Sequence, residues 1–435
     1  MLQNRTKEDP ERFVKFMDKL PINCMHHYPE AILSGLREAD VDAQLVIGAI
    51  HSSFRWDTTE FNRAICWAVQ KHSAAGKDTR ILAFLVTIAG EGQASDTAVT
   101  TVSSKNQKNE NESANDLLQR RSDLVSSGIN GERGSAYEAL ANVLWDNEEA
   151  LPIITELLTR RVLLEPLTSV LMCMAHTINS VGKYNPETAT KFLKQLFHRD
   201  LHVIQCHAIS HMVGWVVNRN PELISEAAEN LSSQEDLSLK AHGYFLQSLL
   251  ALRDERFNES FTQRFKSNTL IRQIAAYRGA ANLKDYHWTK TSKWLLEFFY
   301  DPDQIVRQET HHIHWEEILD NSTDKIEFAR SFLLSPAFGE YSDGIMRSLE
   351  EKVSQYSELT FSAVSRVLEL SPTWQGEQRK GHYTTLHRLN RFLVELYRCV
   401  EGEMDKESKI LDLIDNNLSR DMIDIRAEIS AYERH

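Results

Sequence analysis

The chain has no run that approaches 18 uninterrupted apolar residues, so nothing in it reads as a membrane span. It has only five cysteines, Cys24, Cys66, Cys173, Cys206 and Cys399, an odd number with no C-x-x-C pair. They lie in apolar helical text, where a free thiol behaves as a small core residue. That pattern argues for a reducing compartment and against a disulfide framework. An excess of basic charge is missing as well. The net charge of −13 repels phosphate backbones on average and argues against a general nucleic-acid binder. The polar start, Met1 to Pro10, does not read as a signal peptide. The expected location is the cytoplasm.

Catalytic signatures are also missing. Gly76-Lys77 is the nearest approach to a phosphate-binding loop. The glycine such a loop needs five residues before Gly76 is Lys71, and Asp78 stands where Ser or Thr is required. There is no Gly-x-Ser-x-Gly elbow. Adjacent carboxylates such as Glu148/Glu149 and Glu316/Glu317 point in different directions on a helix and read as surface charge. No catalytic residue, cofactor or metal ligand is expected.

What the chain does have is helical periodicity of a repeating kind. Asp301-Pro-Asp-Gln-Ile-Val-Arg-Gln-Glu309 is an acidic, proline-containing turn leading into a helix. The same phase occurs at Leu270-Ile-Arg-Gln-Ile274, Leu237-Ser-Leu-Lys-Ala241 and Leu201-His-Val-Ile-Gln-Cys206. From Val203 to Leu239 is 36 residues, from Leu239 to Ile271 is 32, and from Ile271 to Val306 is 35. Two-helix units of this period are the signature of an α-solenoid. Helix pairs are expected at about 133–161, 166–199, 202–232, 237–266, 270–299 and 304–335. Their second helices carry stripes such as Phe192, Leu193, Leu196 and Phe197. Asn-Pro, Asp-Pro and Ser-Pro pairs mark the turns.

The expected fold is therefore all-α, a solenoid of HEAT-like helical hairpins with an N-terminal helical block. The block covers 1–90, where 80–88 is short and apolar enough to be a helix or a strand. Residues 91–128 read as a polar, flexible loop or insertion, most solvated at 105–112. The repeat array covers 129–339, and 340–435 supplies C-terminal helical repeats and a polar cap at 421–434.

Candidate functional residues are few. His207 and His211 would share one helix face, a possible metal pair. A zinc protease would need Glu where Ala208 stands, and a core or packing role is favoured. Glu309, His311, His312, His314, Glu316 and Glu317 form the densest ligand-like cluster. On a helix His311 and His314 share a face, and a solvated, partner-facing edge is the preferred reading. Trp288 and Trp374 sit in loop-like contexts beside His287 and Gln375, where an exposed tryptophan would anchor a protein partner. Trp288, His311, His314 and Trp374 are thus the candidate partner-binding residues.

Several stretches resemble one family. Asp9-Pro-Glu-Arg-Phe13 and Tyr28-Pro-Glu-Ala-Ile-Leu-Ser-Gly-Leu36 resemble the beginning of the C-terminal HEAT-like arrays of bacterial signal-transduction ATPases with numerous domains, the STAND NTPases. Asn130 to Leu140, with Asn-x-x-Arg-Gly-x-Ala after a polar insertion, resembles the start of their helical region. Leu393-Val-Glu-Leu-Tyr397, Ile410-Leu-Asp-Leu-Ile-Asp415 and Tyr432-Glu-Arg434 resemble its end. Several of these proteins act in anti-phage defence. The resemblance implies a sensor that binds a foreign protein such as a phage protein and releases an ATPase present in cis or in trans. It carries over no contact residue, and this sequence lacks the ATPase. The alternatives are a stand-alone scaffold or adaptor, a metal-dependent hydrolase using the His311 region, or a DNA-binding HEAT protein.

Overall fold

The computed structural model describes residues 2–22, 27–56, 58–94, 112–119, 124–284, 287–320, 322–373, 383–400 and 403–418. These residues are helical throughout their ordered elements, with no strand among them. No helix among them is long and apolar enough to cross a membrane. The chain forms two compact units. One comprises residues 1–109 and 118–243, and the other 110–117 and 244–435. The division falls inside helix Leu237–Arg253.

In the first unit, local chemistry sets the helix starts. Asp42 accepts the Gln44 N–H at 2.7 Å, and Asp78 accepts those of Arg80 and Ile81 at 3.0 Å. Capped by Asp78, the ambiguous stretch 80–88 becomes helix Thr79–Glu91, burying Ile81, Leu85 and Ala89 on one stripe. Asn185 and Asn220 cap helices Pro186–Arg199 and Pro221–Ser232, each with proline in the first turn, where its missing N–H costs nothing.

Helix Glu132–Asp146 is the centre of this unit. It packs against Asn62–Lys71, Thr79–Glu91 and Thr168–Tyr184, and Ser135 through Ala141 are all buried. Small residues permit that closeness. A Cβ on Gly134 would lie 2.0 Å from the carbonyl oxygen of Gly128. Cys66, Cys173 and Cys206 are free and buried, and burial pushes the Cys66 thiol up to about 12 and Cys206 to about 11. Cys24 lies outside the described residues.

The second unit is built on aromatic packing. Phe261, Phe265, Trp294 and Phe298 stack edge-on or tilted with centroids 5.0–6.0 Å apart. Phe299, Phe328, Phe332, Trp315 and Phe338 form the adjoining cluster. Helix pairs 269–281 with 288–298 and 357–370 with 383–399 pack side by side.

Some elements differ from expectation. Residues 201–205 are a tight 3-10 turn, and the α-helix begins only at His207. The helix expected from 304 onward is broken into Gln304–Gln308, a 3-10 turn Glu309–His312, and Trp315–Ile318. The stretch 91–128 contains helices Ala114–Gln119 and Leu124–Ile129. The polar cap expected at 421–434 lies outside the described residues.

Candidate functional site

The densest candidate cluster grows out of the turn at Asp301. The Asp301 carboxylate accepts the Asp303 N–H at 2.8 Å and takes Arg272 through two nitrogens at 2.7 and 3.3 Å. Asp303 accepts the Ile305 N–H and starts the next helix. Arg307 donates to the Asp301 carbonyl at 2.7 Å and to Glu340 at 2.8 Å. The helix then stops because Glu309 turns inward. It is 1% exposed, and its Oε1 accepts the Ala114 N–H at 2.6 Å and the Gln273 amide at 3.3 Å.

That inward turn decides where the histidines go. His312 is half-buried with its ring edge on Tyr277, centroids 4.8 Å apart. His311 is exposed, donates Nδ1–H to the Gln308 carbonyl at 2.6 Å, and rests against His312 and Tyr341. His314 is exposed and precedes the short helix from Trp315. His311 and His314 therefore do not share one continuous helix face, as a regular helix would require. Both reach solvent, in a broken strip bounded by Tyr341.

Trp288 is not a loop residue. It opens helix Trp288–Phe298 and is half-buried against Phe328, centroids 5.2 Å apart, with the Lys325 ammonium 5.7 Å from its ring. Trp374 lies outside the described residues. His207 and His211 are exposed, contrary to a core role, and His211 Nδ1 meets the Asn179 side-chain oxygen at 3.0 Å. No group of three or more His, Cys, Asp or Glu among the described residues is placed to hold a metal ion.

Two buried carboxylates are functional candidates that sequence reasoning did not separate from surface charge. Glu309 is pushed up to about 7 by burial and by the neighbouring Asp116 carboxylate, against the donors Ala114 N–H and Gln273. His312, 3.7 Å from it, is pushed down to about 4 by burial and by His311 and His314. At neutral pH the His312 imidazole is therefore uncharged, and the Glu309 carboxyl is about half protonated rather than fully ionised. Glu138, in the first unit, is also pushed up to about 7 by burial. The Cys173 thiol donates to it, and His176 Nδ1 lies 3.5 Å away. Its signal in the sequence is a charge inside the small and apolar run Ser135-Ala-Tyr-Glu-Ala-Leu140.

The raised Glu309 value has a definite consequence for stability. The unfolded carboxyl ionises near its ordinary 4.5, while the folded one holds its proton to about 7. Stability contributed by this group is therefore lost as pH rises from 4.5 to 7. Glu309→Gln cannot ionise and keeps an acceptor for Ala114. Its advantage over the parent in thermal unfolding should grow between pH 5 and pH 7.5 by about 2 kcal/mol. A difference independent of pH would contradict the buried, protonated carboxyl.

A cleft of about 280 Å³ in the second unit has an apolar floor of Phe361, Leu396, Val400 and Ile410. Two of its rim cations, Arg330 and Lys406, are already engaged. Arg330 holds Glu327 at 2.8 Å and Lys406 holds Glu403 at 2.8 Å.

No protein-family model and no curated protein matches the chain. Among solved structures, it is similar to the crystal structure of an engineered protein, at 15% identity over 95% of each chain with a TM-score of 0.20, a likeness that carries no argument.

Proposed function

We propose that the chain is a non-catalytic, protein-binding α-solenoid of HEAT-like hairpins, the sensor or regulatory part of a bacterial STAND-type anti-phage defence system. The observation that carries the repeat reading is the spacing of the side-chain bonds that tie one hairpin to the next. Arg133 donates to Glu165 and Thr168 to Asp200, each 32 residues on. Gln205 donates to Ser238, 33 residues on. Arg272 to Asp301 spans 29 residues and Arg307 to Glu340 spans 33. Lys352 donates back to the Leu319 carbonyl across 33. Bonds that recur at one repeat length, within each unit, are what a stack of like hairpins produces, since each repeat touches mainly its neighbours.

The partner-binding part of the proposal rests on the exposed strip at His311, His314 and Tyr341, and on the family resemblance. The test uses the immobilised chain as bait in lysates of infected and uninfected bacteria. A protein recovered only from infected cells, and at least tenfold less with His311→Ala/His314→Ala, is the expected result. Recovery of nothing specific, or equal recovery by the double variant, would sink the proposal.

A further inference from the structure

The polar stretch that follows the N-terminal helices does more than connect. Residues 112–117 belong by their contacts with 244–435, whereas 118 onward belongs with the other unit. Their attachment is specific. The Ala114 N–H donates to Glu309 at 2.6 Å, and the Gln273 amide donates to the Glu112 carbonyl at 2.9 Å. Gln273 is itself 4% exposed and also reaches Glu309. The side chains that go down are small or apolar, Ala114 at 0% and Leu117 at 3% exposure. Ser113 and Asp116 bond each other reciprocally and hold the segment in one turn.

Two features mark this seat as a recognition surface rather than ordinary core. First, Gln273 and Glu309 read main chain. One donates to a carbonyl and the other accepts an N–H two residues later, a pairing that any peptide of similar shape can supply. Second, the segment leaves the seat incompletely satisfied. Glu309 Oε2 and His312 Nε2 are buried with no hydrogen-bond partner. A competitor carrying a donor at that point gains a bond that residues 112–117 do not make.

We propose that the surface formed by Gln273, Glu309 and His312 is a peptide-docking site, occupied in this state by the chain's own residues 112–117. A partner protein takes it with a segment of the same chemistry, a small residue whose N–H meets Glu309 and an apolar residue three positions later. This deepens the protein-binding reading by naming the kind of segment recognised. The intramolecular segment then acts as a built-in competitor that an incoming partner must displace.

The test needs no partner, so its outcome is separable from that of the lysate experiment. The probe is a fluorescein-labelled synthetic peptide with the sequence of residues 110–120, read by anisotropy against full-length variants. Leu117→Asp weakens the internal segment and leaves the seat intact. This variant should bind the peptide at least tenfold more tightly than the parent chain does. Adding Gln273→Ala should abolish that binding, and a peptide carrying Leu117→Asp should not bind. Amide hydrogen exchange on the Leu117→Asp chain should show at least tenfold less protection at 112–119, with helix Thr269–Ala281 unchanged. Absence of peptide binding to the Leu117→Asp chain, or loss of protection in Thr269–Ala281, would overturn the proposal.

Discussion

Gly134→Ala should destabilise the protein by about 2 kcal/mol net, although alanine is the better helix former by about 1 kcal/mol. Packing outweighs propensity here. A Cβ at Gly134 would stand 2.0 Å from the Gly128 carbonyl oxygen and 2.4 Å from its carbon, backbone atoms that cannot swing aside. Gly128 is equally confined, since its own Cβ would meet the Ser169 carbonyl oxygen at 2.3 Å and the Cys173 sulfur at 2.7 Å. Relief would push Glu132–Asp146 away from the segment 124–129 and from Thr168–Tyr184, the contacts that centre the first unit. Gly48→Ala is the control with the opposite sign. Its Cβ meets nothing within 4 Å in helix Ala43–Ser53, so it should stabilise by about 0.5–1 kcal/mol. Thermal unfolding separates the two. The melting temperature should fall by roughly 4–8 °C for Gly134→Ala and rise by about 2 °C for Gly48→Ala. Two shifts of the same sign would contradict this packing.

The second large effect is expected at Arg272. Its guanidinium is 16% exposed and grips Asp301, which is 4% exposed, by two bonds, while also donating to the Phe265 carbonyl at 3.1 Å. Arg272→Ala leaves the Asp301 carboxylate buried without its cation, a loss of about 3 kcal/mol. Asp301→Asn removes the charge and keeps an acceptor for the Asp303 N–H, so the double variant should recover part of the loss. A double variant as unstable as the sum of the singles would mean the two side chains do not act as a pair.

The helix pairs were legible because periodicity is a local property. A 3.6-residue stripe and a proline or Asn-Pro turn fix where a helix lies without knowledge of what covers it. The stretch 80–88 was ambiguous because its apolar run is short, and the Asp78 cap bonds resolve it as helix. The departures at 309–314 and at Trp288 involve partners distant in sequence. The inward turn of Glu309 depends on Ala114, 195 residues away, and no local pattern encodes that meeting. The break at 309–314 follows from it and moves His311 and His314 off a shared face. Trp288 looked like a free anchor because Phe328, which covers it, is a full hairpin downstream. The Glu/His cluster at 309–317 was visible by composition, and its division into a buried carboxyl and an exposed histidine strip was not.

The repeat reading is tested most directly by peptide-resolved hydrogen exchange on Arg272→Ala within the second unit. If like hairpins stack and each leans mainly on its neighbours, the loss of protection should be largest in Thr269–Ala281 and Trp288–Phe298. It should then decay stepwise through Thr323–Leu334 to near the parent value at Tyr383–Cys399. An equal loss of protection across all of these helices would show one cooperative core and contradict the account.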